Sequence, residues 1–445
     1  MSAARVAALR ARAVAVDGQR LQRASAALAG LALAVYLTVS PALLTVLGIP
    51  YDAPYGSFVF KLHPGDYLLA AALMCSLAGQ GNPLSELLRR LRMQPLLSAY
   101  WIAMSLAFGY SLLRHGPSGS AFFIDTLMMP VALALVMIRL DAAQCRGLLR
   151  LMLALLIANA VLGLLEAASA RHLIPYTVAG GVPVIEDKFR ATALLGHPLE
   201  NALLTSMLLL ATLDLPMSLL RRAALCGLSI LALLAFGGRT SFLLTVLALL
   251  AYAAPVLWRG LLAGRYGYLH IVGALLAAMI AAPVAIAGVW SSGLGARIFQ
   301  GLYFDGSAAV RLRIFSVFDY LDGYDIAFGI SPQQIQDLSA RIGLSQNLEA
   351  IENFWLFMLL QLGAPVFLAF AIGLACGLGW LWRRTGVGGR WALAVFVITA
   401  STTNSLASKT SALTLLFALL CAVAGARRGD ARPRASLLPR HGVNA

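Results

Sequence analysis

Apolar stretches of about 20 residues recur along the chain, separated by short polar segments rich in arginine, the pattern of a chain that crosses a bilayer repeatedly. Twelve membrane spans are expected on that rule: 24–47, 63–80, 95–113, 120–139, 147–169, 193–214, 219–236, 240–258, 267–290, 351–381, 391–404 and 409–425. The eleventh is short and is expected to be broken or tilted. The predicted class is therefore an all-α polytopic membrane protein. Residues 1–23 form a basic arm, 24–290 carry spans one to nine, and 291–350 make a long loop before span ten. Residues 351–426 carry the last three spans, and 427–445 form a basic tail whose composition predicts disorder. Within the long loop, 310–321 (VRLRIFSVFDYL) places Val310, Ile314, Phe315, Val317, Phe318 and Leu321 on one face, the period of a short amphipathic helix.

Composition agrees with the pattern. The 445 residues are 60% hydrophobic and 12% charged, with a mean hydropathy of +0.81, which excludes a soluble domain of this size. The net charge of +15 raises the question of nucleic acid, but its distribution answers it. Of the 34 Lys and Arg residues, 23 fall in the arm, the tail and alternate connections between spans. That asymmetry is the positive-inside bias, so both termini are expected in the cytoplasm and no nucleic-acid partner is implied. The arm resembles the n-region of a signal peptide, but the apolar run after it is too long for one. Five cysteines lie in or beside spans at unrelated spacings, with no disulfide framework or metal-ligand pattern. There is no Walker loop and no dinucleotide fingerprint, so no cofactor is expected.

Chemistry is expected on the opposite, outer face, where the remaining eleven cations run against the bias. Residues 351–365 (IENFWLFMLLQLGAP) pass from polar to apolar at Glu352 and Asn353. A carboxylate in the first turn of a span is favoured by the exposed N–H groups. It suits a general base or a ligand for a sugar hydroxyl; the pair also suits plain N-terminal capping. Arg190, Arg239, Arg311 and Arg313 are either interfacial anchors or, as a set, a site for a phosphate-bearing ligand, since guanidinium forks match phosphate oxygens. His197-Pro198, with Glu200 and Asn201 behind, reads as a helix cap or as a substrate contact. Tyr303, Phe304, Tyr320 and Tyr324 stand near Asp305, Asp319, Asp322 and Asp325, a mixture that fits a sugar site or an interfacial belt. Asp125, in span four, is the main candidate for a buried acid.

Three of these segments resemble the superfamily of O-antigen ligases and O-antigen or exopolysaccharide polymerases. Residues 189–201 (FRATALLGHPLEN) are similar to its arginine-led segment ending in His-Pro or Asn-Pro, and 237–241 (GGRTS) to its Ser/Gly-Arg turn between two spans. Ligases of this family carry His followed by Asn, Ser or Gln, then nine residues, then Gly. Asn353, residues 354–362 and Gly363 match, while Glu352 occupies the His position. The resemblance implies a fold of the membrane glycosyltransferase C type, a polyprenyl-pyrophosphate-linked oligosaccharide donor and acceptor, and metal-independent inverting transfer in a bacterial inner membrane. It implies Glu352 as base with Asn353 orienting it, Arg190, Arg239, Arg311 and Arg313 on the pyrophosphate, and His197, Tyr320 and Tyr324 as further contacts. Chain-length regulators or a flippase are the expected protein partners, and membrane lipid surrounds the whole. A ligase acting on a lipid or protein acceptor, a lipid-linked glycan flippase and a non-catalytic scaffold are the alternatives.

Overall fold

The computed structural model describes residues 3–52, 56–117, 120–178, 182–183, 189–264, 313–343, 351, 353–402, 406 and 409–430. The described chain is helical: α1 (Ala3–Thr38), α2 (Pro41–Val46), α3 (Pro64–Ala78), α4 (Pro83–Arg92) and α5 (Pro95–His115) lead into a π-helical turn (Phe123–Met128) and α6 (Met129–Met137). Then come α7 (Ala142–Ser169), α8 (Pro198–Thr212), α9 (Leu219–Phe236) and α10 (Arg239–Leu262). The loop helices α11 (Gly323–Phe328) and α12 (Pro332–Arg341) precede α13 (Phe354–Arg384), α14 (Val387–Ser401) and α15 (Ala412–Asp430). The strands described, Thr177–Val178 and Val182–Pro183, form one small antiparallel pair. Among the described residues, Gly18–Thr38 of α1, α5, α7, α9, α10 and α13 are long and apolar enough to cross a membrane. Pro64–Ala78, Phe123–Met137 and Val387–Ser401 are shorter apolar helices. The ninth expected span, 267–290, lies outside the described residues.

Side-chain contacts set the helix directions. At one end, the backbone N–H before α3 (His63) bonds Asp125 of the π-helical turn, and Thr410, before α15, bonds both Thr126 and Glu200 of α8. At the other end, buried Arg90 of α4 bonds Ser76 near the end of α3 and Leu135 near the end of α6. Gln94, before α5, accepts from Trp380 and Arg384 at the end of α13. Asp214, after α8, accepts from the N–H groups of Gly388 and Gly389 and pairs with Arg427. Helices α8 (from Asn201) and α15 (to Leu420) are buried on every side, so they form the axis of the bundle.

Two expected elements differ. The first span is not one helix to residue 47. It stops at Thr38, and α2 starts afresh, because Pro41 removes an N–H and drives Ser40 into an extended conformation (φ −80°, ψ 160°). At its other end α1 begins at Ala3, inside the stretch read as a separate arm. The amphipathic segment 310–321 is, over its described part, a 3₁₀ helix (Ile314–Tyr320). Three residues per turn put Ile314 and Val317 on one buried stripe and leave Phe315 and Phe318 on an exposed one, so the α-helical face does not form.

The long loop is joined to the bundle at a break in α13. Gly363 takes φ 68°, ψ 161°, a conformation almost confined to glycine, and Pro365 lacks an N–H. The helix ladder is thereby interrupted at the carbonyls of Leu360 and Gln361. Ile330 N–H, from the loop, donates to Leu360 (2.7 Å), and His115 Nε2 bonds the Gln361 carbonyl (2.9 Å). Tyr110 donates to the Phe328 carbonyl beside them. A Cβ on Gly363 would lie 2.4 Å from the carbonyl oxygen of Ala327. Gly363→Ala is therefore expected to cost at least ~2 kcal/mol and to undock the loop. A lowered unfolding midpoint in detergent, with faster proteolysis within 313–343, is the readout; Gly109→Ala, in open space on α5, is the neutral control.

Candidate functional site

Residues 189–197, ahead of α8, form no helix or strand, and side chains take the place of a backbone ladder. Glu166, in the last turn of α7, accepts from three N–H groups: Leu173 (2.6 Å), Thr192 (2.7 Å) and Ala193 (2.8 Å). Two turns earlier, Asn159 accepts from Leu194 N–H and donates to Asn201. Asn201 in turn donates to the carbonyls of Thr192 and His197. Ala191 N–H bonds the last turn of α9 at Ala235. Residues 191–197 are thus clasped by α7, α8 and α9, and Ala193 is held at φ 40° within the clasp.

This clasp carries Arg190 and His197. The Arg190 guanidinium stands 6.0 Å from the ring centre of buried Tyr176, and the His197 ring meets the same tyrosine edge-on at 5.9 Å. His172 stacks on Phe189 at 4.5 Å. His197 occupies the N-cap position of α8 with Pro198 at the first helical position, yet its side chain makes no capping bond. The capping reading therefore fails for this histidine: the ring turns to Tyr176. Arg239 opens α10, whose preceding glycine packs on Ala202 of α8, so it stands at the same end of the bundle as Arg190.

A small void of about 10 Å³, lined by Tyr36, Tyr51, His63, Leu195, Glu200 and Thr410, borders a second set of polar residues. Tyr36 donates to Asp66, while Tyr51 (2.6 Å) and the His63 backbone (3.1 Å) donate to the two oxygens of Asp125. Both carboxyl groups are buried. His63 engages both ring nitrogens, one toward Val39 and one toward Gly65. The Lys409 ammonium bonds the carbonyls of Tyr51 and Lys61 and lies 4.4 Å from the Tyr51 ring centre. In the loop that holds them, burial and the nearby Asp125 charge push the Tyr51 hydroxyl well above its usual range, which keeps it a donor. Burial lowers the neighbouring Lys61 ammonium, against the opposing pull of Asp52.

The third group lies at the start of α13. Asn353 Oδ1 accepts from Leu356 N–H (3.1 Å), so the capping reading holds for this residue. The motif's nine residues are the half-helix between this cap and the break at Gly363. Tyr320 and Tyr324 are exposed on the loop, with Arg114 over the Tyr324 ring, and Arg313 lies beside Gly343. Tyr176 brings Arg190 and His197 together; Arg313 and the two loop tyrosines belong instead to the loop docked on α5 and α13. Arg311 and Glu352 lie outside the described residues.

Sequence reasoning picked Asp125 and overlooked Glu166, Asn159, Tyr176 and Asp66. A signal for two of them was present: residues 159, 163 and 166 share one face of α7, an amide and an acid inside an apolar span.

No family model matches the chain, and no characterised protein matches it. The clasp itself is open to test. Glu166→Ala leaves three N–H groups without their acceptor and is expected to cost ~3 kcal/mol or more. Hydrogen exchange at Thr192 and Ala193 should rise by at least an order of magnitude, while the amides of α15 stay protected.

Proposed function

We propose that the chain is a polysaccharide polymerase with about twelve spans and both termini in the cytoplasm. It joins polyprenyl-pyrophosphate-linked repeat units on the periplasmic face of a bacterial inner membrane. One observation carries the reading: 189–201, 237–241 and 353–363, far apart in sequence, lie at the same end of the helix bundle, away from the arginine-rich connections. In this reading Glu352 takes the proton from an acceptor sugar hydroxyl. The freed oxygen attacks the anomeric carbon from the face opposite the pyrophosphate, the carbon–oxygen bond to the pyrophosphate breaks, and the configuration inverts. Arg190 and Arg239, with Arg311 and Arg313 from the loop, balance the charge on the departing polyprenyl pyrophosphate. Asn353 fixes the start of the helix that carries the base. His197 and Tyr176, and the exposed rings of Tyr320 and Tyr324, offer faces and edges to sugar. The polyprenyl chains lie in apolar grooves between helices.

A second reading, a lipid-linked glycan flippase, is favoured by the buried Asp66 and Asp125, since carboxyl groups inside a bundle are the usual carriers of coupling protons. The two readings separate in one experiment. Purified wild-type, Glu352→Gln and Arg190→Ala proteins are incubated with the host's lipid-linked repeat unit, and products are sized on a gel. A ladder from wild type is expected, none from Glu352→Gln, and a rate about 10²-fold lower from Arg190→Ala. Wild-type ladders from Glu352→Gln would remove the base. Absence of any ladder, with movement of the repeat unit across sealed vesicles, would replace the polymerase by the flippase.

A further inference from the structure

Helices α1 and α3 and the π-helical turn meet at two acids that the proposed glycan chemistry does not use. Asp66 lies in the first turn of α3 and Asp125 in the π-helical turn, 2% and 3% exposed. The two carboxyl groups stand within hydrogen-bond reach of each other. Asp125 has a donor on each oxygen, the Tyr51 hydroxyl (2.6 Å) and the His63 backbone N–H (3.1 Å). Asp66 accepts the Tyr36 hydroxyl on Oδ1, and its buried Oδ2 receives no N–H or hydroxyl from the described residues.

Two carboxylates this close repel each other, and burial removes the water that would screen them. The charged and titratable groups around the pair do not supply a counter-charge at its oxygens. The Lys409 ammonium bonds the carbonyls of Tyr51 and Lys61. His63 donates from Nε2 to the Val39 carbonyl and accepts the Gly65 N–H on Nδ1, a combination that only the neutral ring makes. Tyr67 of α3 donates to Val59, and Glu200, across the small void, accepts from Thr410. Asp52 and Lys61, on the loop before α3, act electrostatically on each other.

We propose that Asp66 and Asp125 form a proton-binding site, in which one proton, carried on Asp66 Oδ2, bonds the ionised Asp125. Two carboxyl groups can bond each other only through a proton, and the donors decide which of them carries it. Asp125 already accepts twice, whereas Asp66 has one oxygen to spare. The proton then ties α3 to the π-helical turn, as Tyr36 ties α1 to α3.

Asparagine has the donor and acceptor of a protonated acid, so the two aspartates should respond unequally to it, and the test needs no glycan substrate. Unfolding midpoints in detergent are measured at neutral pH for wild type, Asp66→Asn, Asp66→Ala and Asp125→Asn. Asp66→Asn should stay within about 2 °C of wild type. Asp66→Ala loses both bonds, and Asp125→Asn leaves Tyr51 or the His63 N–H without its acceptor, so both should fall further. Infrared spectra of protein carrying ¹³C-labelled aspartate should show the C=O stretch of a carboxylic acid in wild type and not in Asp66→Asn. A loss in Asp66→Asn as large as in Asp125→Asn, or a wild type without the acid band, would overturn the site. A wild-type midpoint raised by sodium chloride but not by choline chloride at equal ionic strength would put a metal ion in place of the proton.

Discussion

The structure depends on what happens to backbone N–H and C=O groups where a helix stops inside apolar surroundings. A bilayer offers no water to those groups, so each must find a partner within the protein. The break in α13 answers this with Ile330 N–H and His115, which take the carbonyls left over by Gly363 and Pro365. The run into α8 answers it with Glu166 and Asn159, and the start of α14 with Asp214. Asp125 does the same for the backbone that leads into α3. Asp125, Glu166 and Asp214 are thus acceptors for backbone at helix starts and in irregular chain.

That use of acids explains how the clasp ahead of α8 is held. A carboxylate accepting backbone N–H bonds gains roughly 1.5–3 kcal/mol from each, enough to offset its burial when it accepts three. Backbone N–H groups between Arg190 and His197 are therefore bonded although the segment is not a helix. For the phosphate contact proposed for Arg190, such support would meet part of the ordering cost of binding in advance. On the loop side the same work is done by two glycines in contact. Gly329 and Gly363 approach so closely that a Cβ on Gly329 would lie 2.7 Å from the Gln361 carbonyl oxygen.

Much of the helix order was legible in the chain, because apolar run length is a strong signal and the arginines mark alternate connections. The start of α8 at His197-Pro198 and the cap at Asn353 followed from residue types alone. What was not legible followed from partners distant in sequence. His197 has the position of a cap, but Tyr176, twenty-one residues earlier, takes its ring. Ile314 to Phe318 has an α-helical period, but packing against the loop helix α12 selects a 3₁₀ turn. Gly363 was visible as part of a spaced motif, whereas its reason, a carbonyl from the loop at van der Waals distance, depends on a fold that brings residue 327 to residue 363. Glu166 was overlooked because its three donors, up to 27 residues away, come together only in the fold.

The buried carboxyl pair bears on the choice between polymer synthesis and transport. A proton carrier must alternate between two aqueous sides, so its carboxyl group needs a route to water and partners that can release it. Asp125 has both oxygens occupied, by the Tyr51 hydroxyl and the His63 backbone, and the backbone donor is fixed by the start of α3. The Lys409 ammonium, in the same neighbourhood, bonds the carbonyls of Tyr51 and Lys61. Asp66 accepts from Tyr36 and stands within hydrogen-bond reach of Asp125, so a proton on either carboxyl group bonds the other. Bonds of this kind tie α1 to α3 and join the segments before α3 and α15 to the π-helical turn. In the proposed polymerase, this network is a structural tie beside the clasp and not a path for protons.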